Sequence, residues 1–386
     1  MEQTHVVKHK NIDVASVSII GGYVVDIGKI YEAEHMPFLV KEDAHENIRL
    51  INNWVANRGI PFSREDYELI MEKCGVENSR ELSLLGMALN LTDHYWIQDR
   101  GDDRTWHDVN YFDNNFSEGI GKIIPELSER YMNFFHPDFS SNGRLKKMWM
   151  IEDGQRILYK AGSGDIRQEP YNEKIATEIC RELGIECVEY QVVEHEGDVY
   201  SKCPCMVDGN SEFIDAFKVL LHGEKKADKY ENYIHICESH GLANARECLE
   251  KMLVLDYVIR NTDRNEGNYG IIRNSQTLQW ERMARLFDNG NSLWYNVNIN
   301  NNIGKDIRST CKSFLGENEQ NIQLLSGNYH FDAGKLVKYG EVIAHILLHT
   351  GMDKERAEKI GSSFMGRVDA LDQTINHHRD TVKIAR

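Results

Sequence analysis

The stretch "LDYVIRNTDRNEGNYGIIRN", Leu255 to Asn274, breaks an apolar segment with a run of polar residues and returns to apolar character at Tyr269, Ile271 and Ile272. Polar residues this dense between two apolar segments describe a site held between packed elements. The segment leading into it, residues 243–261, carries Leu249, Met252, Leu253, Asp256, Tyr257 and Arg260 at i, i+3 and i+4 spacing, which predicts a helix. Asp263 and Asn268 then stand five residues apart in a loop leaving that helix. A carboxylate there can orient or deprotonate a hydroxyl, and an amide oxygen can ligate a hard cation such as Mg²⁺. An Asx-rich turn that only caps helices has the same look in isolation, so the rest of the chain decides.

Phosphoryl transfer by protein kinases uses an Asp followed five residues later by a metal-binding Asn. Three further pieces fit that chemistry. In "RLFDNGNSLW" (Arg285–Trp294), Asp288 follows Leu286-Phe287 and precedes Asn289-Gly290, which predicts a strand ending in an acidic turn and supplies a second metal ligand. Asp-Asn-Gly is also plain turn chemistry. In "ILYKAG", Lys160 follows a predicted strand, and Glu173 opens the helix predicted over 172–184, with Asn172 as its cap and Gly184 past its end. A strand Lys paired with a helix Glu positions nucleotide phosphates; a first-turn Glu also suits the helix dipole on its own. The stretch "SSNGRLKKMW" (Ser140–Trp149) can cover phosphates with backbone N–H groups, although it has one Gly and no G-x-G-x-x-G. The order of parts carries more weight than any one of them: loop, strand Lys, helix Glu, further strands, a helical region with the Asp and Asn, then a second Asp.

Composition sets the frame. The net charge of −16 argues against a nucleic-acid-coating protein, because binding a phosphate backbone relies on Lys and Arg. No apolar run approaches the roughly 20 residues that cross a bilayer. The start lacks the apolar core of a signal peptide. Eight cysteines without disulfide-framework spacing read as reduced thiols, so a cytoplasmic protein is expected. Cys203 and Cys205 form a C-x-C, but a zinc site needs about four ligands and His235, Cys237 and His240 sit far off; buried cysteines are the expectation.

Along the chain, residues 15–31 predict a strand pair turning at Gly21-Gly22, residues 43–57 a helix with Ile48, Ile51, Trp54 and Val55 on one face, and residues 63–75 a helix capped by Ser63 and closed by Gly75. Residues 98–118 read as loop. Hairpins are predicted around Asp153-Gly154 and Glu196-Gly197-Asp198. After about residue 210 helical patterns dominate. Strands segregated from helices predict an α+β protein of two lobes, a strand-rich one followed by a mainly helical one.

"DYVIRNTDRNEGNYGII" followed by "LFDNGNSLW" resembles HipA-like Ser/Thr kinases, a bacterial branch of the protein-kinase superfamily, and "LYKAG…NEKIATEICRELGIECVEYQVV" resembles their nucleotide-binding lobe. The match covers about residues 140–300. Many relatives carry His two residues after the Asp, where this chain has Asn265. The resemblance implies an accessory region over 1–110, a kinase N-lobe over 111–208 and a helical C-lobe over 209–386. It implies ATP and Mg²⁺ as cofactors, Asp263 as catalytic base, and Asn268 and Asp288 as metal ligands. Lys160 would hold the phosphates, Glu173 would orient it, and Ser141 and Gly143 would belong to the phosphate-covering loop. The hinge would present the backbone of Lys202, Cys203, Pro204, Cys205 and Met206 to adenine. In the family a serine of the covering loop can be autophosphorylated, which makes Ser140 and Ser141 the candidates. Family members that act as toxins pair with a helix-turn-helix antitoxin; direct nucleic-acid binding by this chain is not expected, nor is membrane association.

Two other readings compete. One is a small-molecule or lipid head-group kinase of the same fold. The other is a nucleotide-binding pseudokinase or interaction module, which has no need of Lys160, Asp263, Asn268 and Asp288 together. Arg264, beside the proposed base, is expected to pair with Asp288 or with a substrate phosphate, or else to lie on the surface. The aromatic stretch 94–111 offers a substrate face or packing under a loop.

Overall fold

Gly21 and Gly22 take φ of +55° and +80°, a turn backbone that glycine enters without steric cost. In this computed structural model, which describes residues 4–64, 67–116, 136–140, 143–164, 166–223, 227–297, 300–305 and 309–384, the turn joins two strands of an antiparallel sheet. The sheet contains β1 (His5–His9), β2 (Ile12–Ile20), β3 (Tyr23–Ile30) and β4 (Tyr95–Asp99), in the order β3-β2-β1-β4. The helix Ala44–Ala56 is capped by Asp43, which accepts the His45 N–H, and it buries Leu50, Ile51, Trp54 and Val55. The second predicted helix is shorter, Tyr67–Cys74; Gly75 ends it at φ +66°, while Ser63 lies in a preceding turn closed by Arg64 N–H on Pro61 O.

The region read as loop, residues 98–118, holds the helix Trp106–Val109 and only the last two residues of β4. β4 buries four consecutive residues, Tyr95 to Gln98, so it lacks the alternation that marks a half-buried strand. The predicted hairpins form: β5 (Lys147–Glu152) with β6 (Gln155–Ala161), and β7 (Gln191–His195) with β8 (Asp198–Pro204), both antiparallel. The helix Glu169–Leu183 starts before Asn172, because Pro170 is well suited to a first turn. Gly184 closes it at φ +68°. The C-terminal part is not purely helical. It includes a three-stranded sheet, β11-β10-β9, built from β9 (Ser211–Asp215), β10 (Gly270–Asn274) and β11 (Trp280–Met283). Buried runs such as Ile271-Ile272 carry no period that separates strand from helix.

The chain divides into two compact units. The first comprises Met1–Lys160, Pro204–Phe213 and Ile272–Gln279; the second comprises Ala161–Cys203, Ile214–Ile271 and Trp280–Arg386. The second has a continuous core that includes Ile179, Tyr233, Leu253, Val258, Trp294 and Phe364. No helix among the described residues is long and apolar enough to cross a membrane.

The first unit buries a carboxylate. Glu212 accepts from His9 Nε2 at 2.5 Å, from the His94 backbone N–H at 3.2 Å and from Arg273 Nε at 2.8 Å. Arg273 also donates to the Tyr95 hydroxyl at 2.8 Å. Burial alone would raise the Glu212 carboxyl, but Arg273 and the two histidines hold it well below the usual range. A carboxyl depressed in the folded state stabilises it above the ordinary glutamate range, and that contribution disappears as the pH falls through the depressed value. Glu212→Gln should therefore unfold at lower urea than wild type at neutral pH and lose less stability on acidification. Identical acid profiles would show that this carboxylate holds nothing together.

Candidate active site

The helix Ala245–Val258 ends at Ile259, whose N–H reaches Leu255 O, and Arg260 turns the chain away at φ +54°. Asn261 governs the exit. Its backbone N–H donates to Asp256 O at 2.8 Å, its Nδ2 donates to the Asp256 carboxylate at 2.9 Å, and its Oδ1 accepts Asp263 N–H at 3.0 Å. Asp263 O in turn accepts from Asn265 N–H and from Asn268 Nδ2, both at 2.8 Å. That turn brings Asn268 beside Asp263. Committing the amide N–H to a carbonyl directs its oxygen away, as a hard donor suited to a divalent cation. The Asp263 carboxylate accepts from Asn291 Nδ2 at 3.0 Å on one oxygen and from Lys312 Nζ at 2.6 Å on the other. Its side chain is 24% exposed, so an outside hydroxyl can reach it.

Arg264 is fully buried, and its partner is Asp256 rather than Asp288 or a surface anion. Its Nε donates to the Asp256 carboxylate at 3.0 Å, and Nη2 donates to Asp256 at 3.0 Å and to Asn289 Oδ1 at 2.6 Å. Nη1 donates to two carbonyls, Asn268 O at 2.8 Å and Phe287 O at 2.6 Å. All five donors of a guanidinium are thus engaged. Burial alone would lower the Arg264 pKa; the Asp256 carboxylate more than offsets it and leaves the group raised. One nitrogen therefore ties the backbone of Asn268 to that of Phe287, the neighbour of Asp288.

Asp288 does not end a strand. Around it only Leu286 forms a bridge, parallel to Cys187, and Asp288 itself sits at φ +58°. Asp288 N–H donates to the Tyr190 hydroxyl at 3.4 Å, and Asn289 N–H donates to Glu173 Oε2 at 2.8 Å. The Tyr190 phenol is held well above its usual range by burial and then by the neighbouring carboxylates of Glu173 and Asp288. Leu293 and Trp294 also have positive φ, +50° and +55°. Such backbone costs of order 1–3 kcal/mol per residue and persists only where neighbours over-determine it. The neighbours here come from the helix Glu169–Leu183 and its entry. Asn172, predicted as the cap, instead donates to Gly290 O and Ser292 O, both at 2.8 Å, and Gln168 donates to Leu293 O at 2.8 Å.

Asp263, Asn268, Asp288 and Glu173 all belong to the second unit and are linked by these contacts. Lys160 belongs to the first unit, where it is buried on β6 opposite Lys147. Of the hinge residues, Lys202 faces Gln191 in the β7–β8 ladder and Cys203 is buried. Pro204 is exposed and Met206 half-buried. The Cys205 N–H is engaged with Arg156 O at 2.8 Å, and its thiol donates to Leu91 O at 3.3 Å. Gly143 has φ +110°, and its carbonyl accepts from Arg64. Ser140 is buried, its hydroxyl donating to Pro137 O. Ser141 lies outside the described residues. Asn172, Asp256, Asn291 and Lys312 were not singled out as site residues from sequence. Asp256 alone left a signal, since a carboxylate on the apolar face of a helix demands a buried partner.

The fold defined by these elements is shared with a solved structure. HipA, in the Shewanella oneidensis MR-1 toxin–antitoxin complex of HipA, HipB and operator DNA, matches with a TM-score of 0.55 and 11% identity, over 98% of this chain and 99% of that one. At that identity the likeness is one of fold. The Helicobacter pylori proinflammatory kinase CtkA matches at a TM-score of 0.41 and 14% identity, over 62% of this chain and 95% of that one, too slight a likeness to build on. No protein-family model and no curated protein matches the chain.

Arg264→Met leaves the buried Asp256 carboxylate without a counter-charge, which should cost about 3–5 kcal/mol in urea unfolding. Arg264→Lys should recover little, because an ammonium lacks the planar fork. Removing both charges with Asp256→Leu in the Arg264→Met background should recover much of the loss. A single variant within about 0.5 kcal/mol of wild type would contradict this account of the site.

Proposed function

We propose that the chain is an ATP- and Mg²⁺-dependent phosphotransferase of HipA-like type, moving the γ-phosphoryl group of ATP to a Ser or Thr hydroxyl on a protein. The observation that carries the reading is the shared guanidinium nitrogen of Arg264, which joins the loop of Asp263 and Asn268 to the segment of Asp288. The fold likeness to HipA along nearly the whole chain supports it. Magnesium-bound ATP supplies the phosphoryl group and the means to neutralise its charge. In this reading the Asn268 amide oxygen and the Asp288 carboxylate hold the metal, a hard oxygen set that suits Mg²⁺. Asp263 orients the acceptor hydroxyl and takes its proton. Glu173 fixes the Asp288 segment through Asn289, and Lys160 is the residue proposed for the nucleotide phosphates. The HipA structure includes HipB and DNA; a protein regulator of antitoxin type belongs to the proposal for this chain, with DNA contacted through that regulator and not directly.

Calorimetry of MgATP binding separates the two aspartates. Asp288→Ala should weaken MgATP binding and transfer together. Asp263→Ala should bind MgATP as wild type does while transfer falls on the order of 10³-fold. Undiminished MgATP affinity in the Asp288 variant would overturn its role as a metal ligand.

A further inference from the structure

Lys312 touches Asp263 from a loop that no sequence pattern marked. Residues 309–318 are laced to one another. Thr310 and Glu317 form an antiparallel bridge, Cys311 N–H donates to Gly316 O, and Gly316 N–H donates to Ser313 O, both at 2.8 Å. Asn318, buried, donates to Asn261 O at 2.8 Å and to Ser309 Oγ at 3.0 Å. The loop is therefore stapled to Asn261, which also sets the Asp263 backbone. Cys311 and Ser313, on either side of Lys312, are buried, whereas the Lys312 side chain is 65% exposed. A hydrogen-bonded loop thus projects an exposed ammonium onto Asp263 Oδ1 at 2.6 Å.

The charge around this carboxylate raises a need that Lys312 meets. Phosphoryl oxygens would approach Asp263, Asp288 and Glu173 in a chain of net charge −16. Arg264, next to Asp263 in sequence, has its donors engaged in the interior. Among the described residues Lys312 is the cation that touches Asp263. A hydroxyl using Asp263 as base sits within hydrogen-bond reach of the same carboxylate, about 2.6–3.2 Å. The ammonium is then a close neighbour of the reacting oxygen, with three donors to share.

Resting on the phosphoryl-transfer reading above, we infer that Lys312 is a catalytic residue that holds the Asp263 carboxylate beside the acceptor and neutralises the phosphoryl oxygens in transit. In that step the acceptor oxygen bonds to the γ-phosphorus while the bond from phosphorus to the β,γ-bridging oxygen breaks. The hydroxyl proton passes to Asp263, and ADP leaves with the electron pair. Lys312 gives and takes no proton; its charge meets the phosphoryl oxygens.

The test compares wild type, Lys312→Met and Lys312→Arg by calorimetry with ADP and Mg²⁺, with and without aluminium fluoride, a mimic of the phosphoryl group in transit. An exposed ion pair contributes little to stability, so the variants should melt as wild type does. All three should bind ADP–Mg²⁺ alike. Lys312→Met should lose about 100-fold of the tightening that aluminium fluoride brings, and Lys312→Arg should keep part of it. Transfer assays should show the same loss in kcat with KM for ATP unchanged. A Met variant that binds the mimic as tightly as wild type overturns the inference alone, as does one that transfers faster, which would make Lys312 a block on the base. Wild type that binds no ADP–Mg²⁺ would take down the phosphotransferase reading and this inference with it.

Discussion

A single buried guanidinium organises the candidate site. Arg264 reaches the last turns of a helix through Asp256, the turn of Asp263 and Asn268 through a carbonyl, and the Asp288 segment through Phe287 O and Asn289. A buried ion pair is weak evidence for net stability, because desolvating both charges costs about as much as their attraction returns. Its contribution here is geometric. A planar fork with five donors allows one relative arrangement of three segments, and an ammonium on a flexible stem would allow many.

Asparagine supplies the second layer of control. The segments that carry Asp263 and Asp288 are irregular, so their backbone groups find no partners in a helix or sheet ladder. Side-chain amides, donor and acceptor at once, replace those partners. Asn261 and Asn268 shape the first turn, Asn172 supports Gly290 and Ser292, Asn291 braces the Asp263 carboxylate, and Asn318 ties a separate loop to Asn261. This scaffold holds Asp288, Leu293 and Trp294 in left-handed backbone that their side chains disfavour.

Much of this was legible in the sequence, and each part that was not has a physical reason. Hairpins at Gly21-Gly22, Asp153-Gly154 and Glu196-Gly197 were readable because turn residues interrupt extended runs. The helix before Asp263 was readable from its spacing. β4, β9 and β10 were not, since strands buried on both faces carry no alternation. Asp263, Asn268 and Asp288 stood out as chemistry at a suggestive spacing, but the device that joins them did not. Arg264 looked like a residue for the surface or for a phosphate, and only its burial against Asp256 reveals the clamp. Asn172 looked like a cap, because capping and bracing use the same side chain. Lys312 lies 49 positions from the carboxylate it touches, a separation that no local pattern encodes.

The claim that matters most is that this arrangement moves a phosphoryl group. Incubating the purified full chain with ATP labelled in its γ-phosphate and Mg²⁺, followed by mass-spectrometric mapping, tests it most directly. The account predicts Mg²⁺-dependent label on Ser or Thr hydroxyls of the chain or of an added protein acceptor, with ADP released in step. Nucleotide bound and retained with no label on any protein hydroxyl would contradict it.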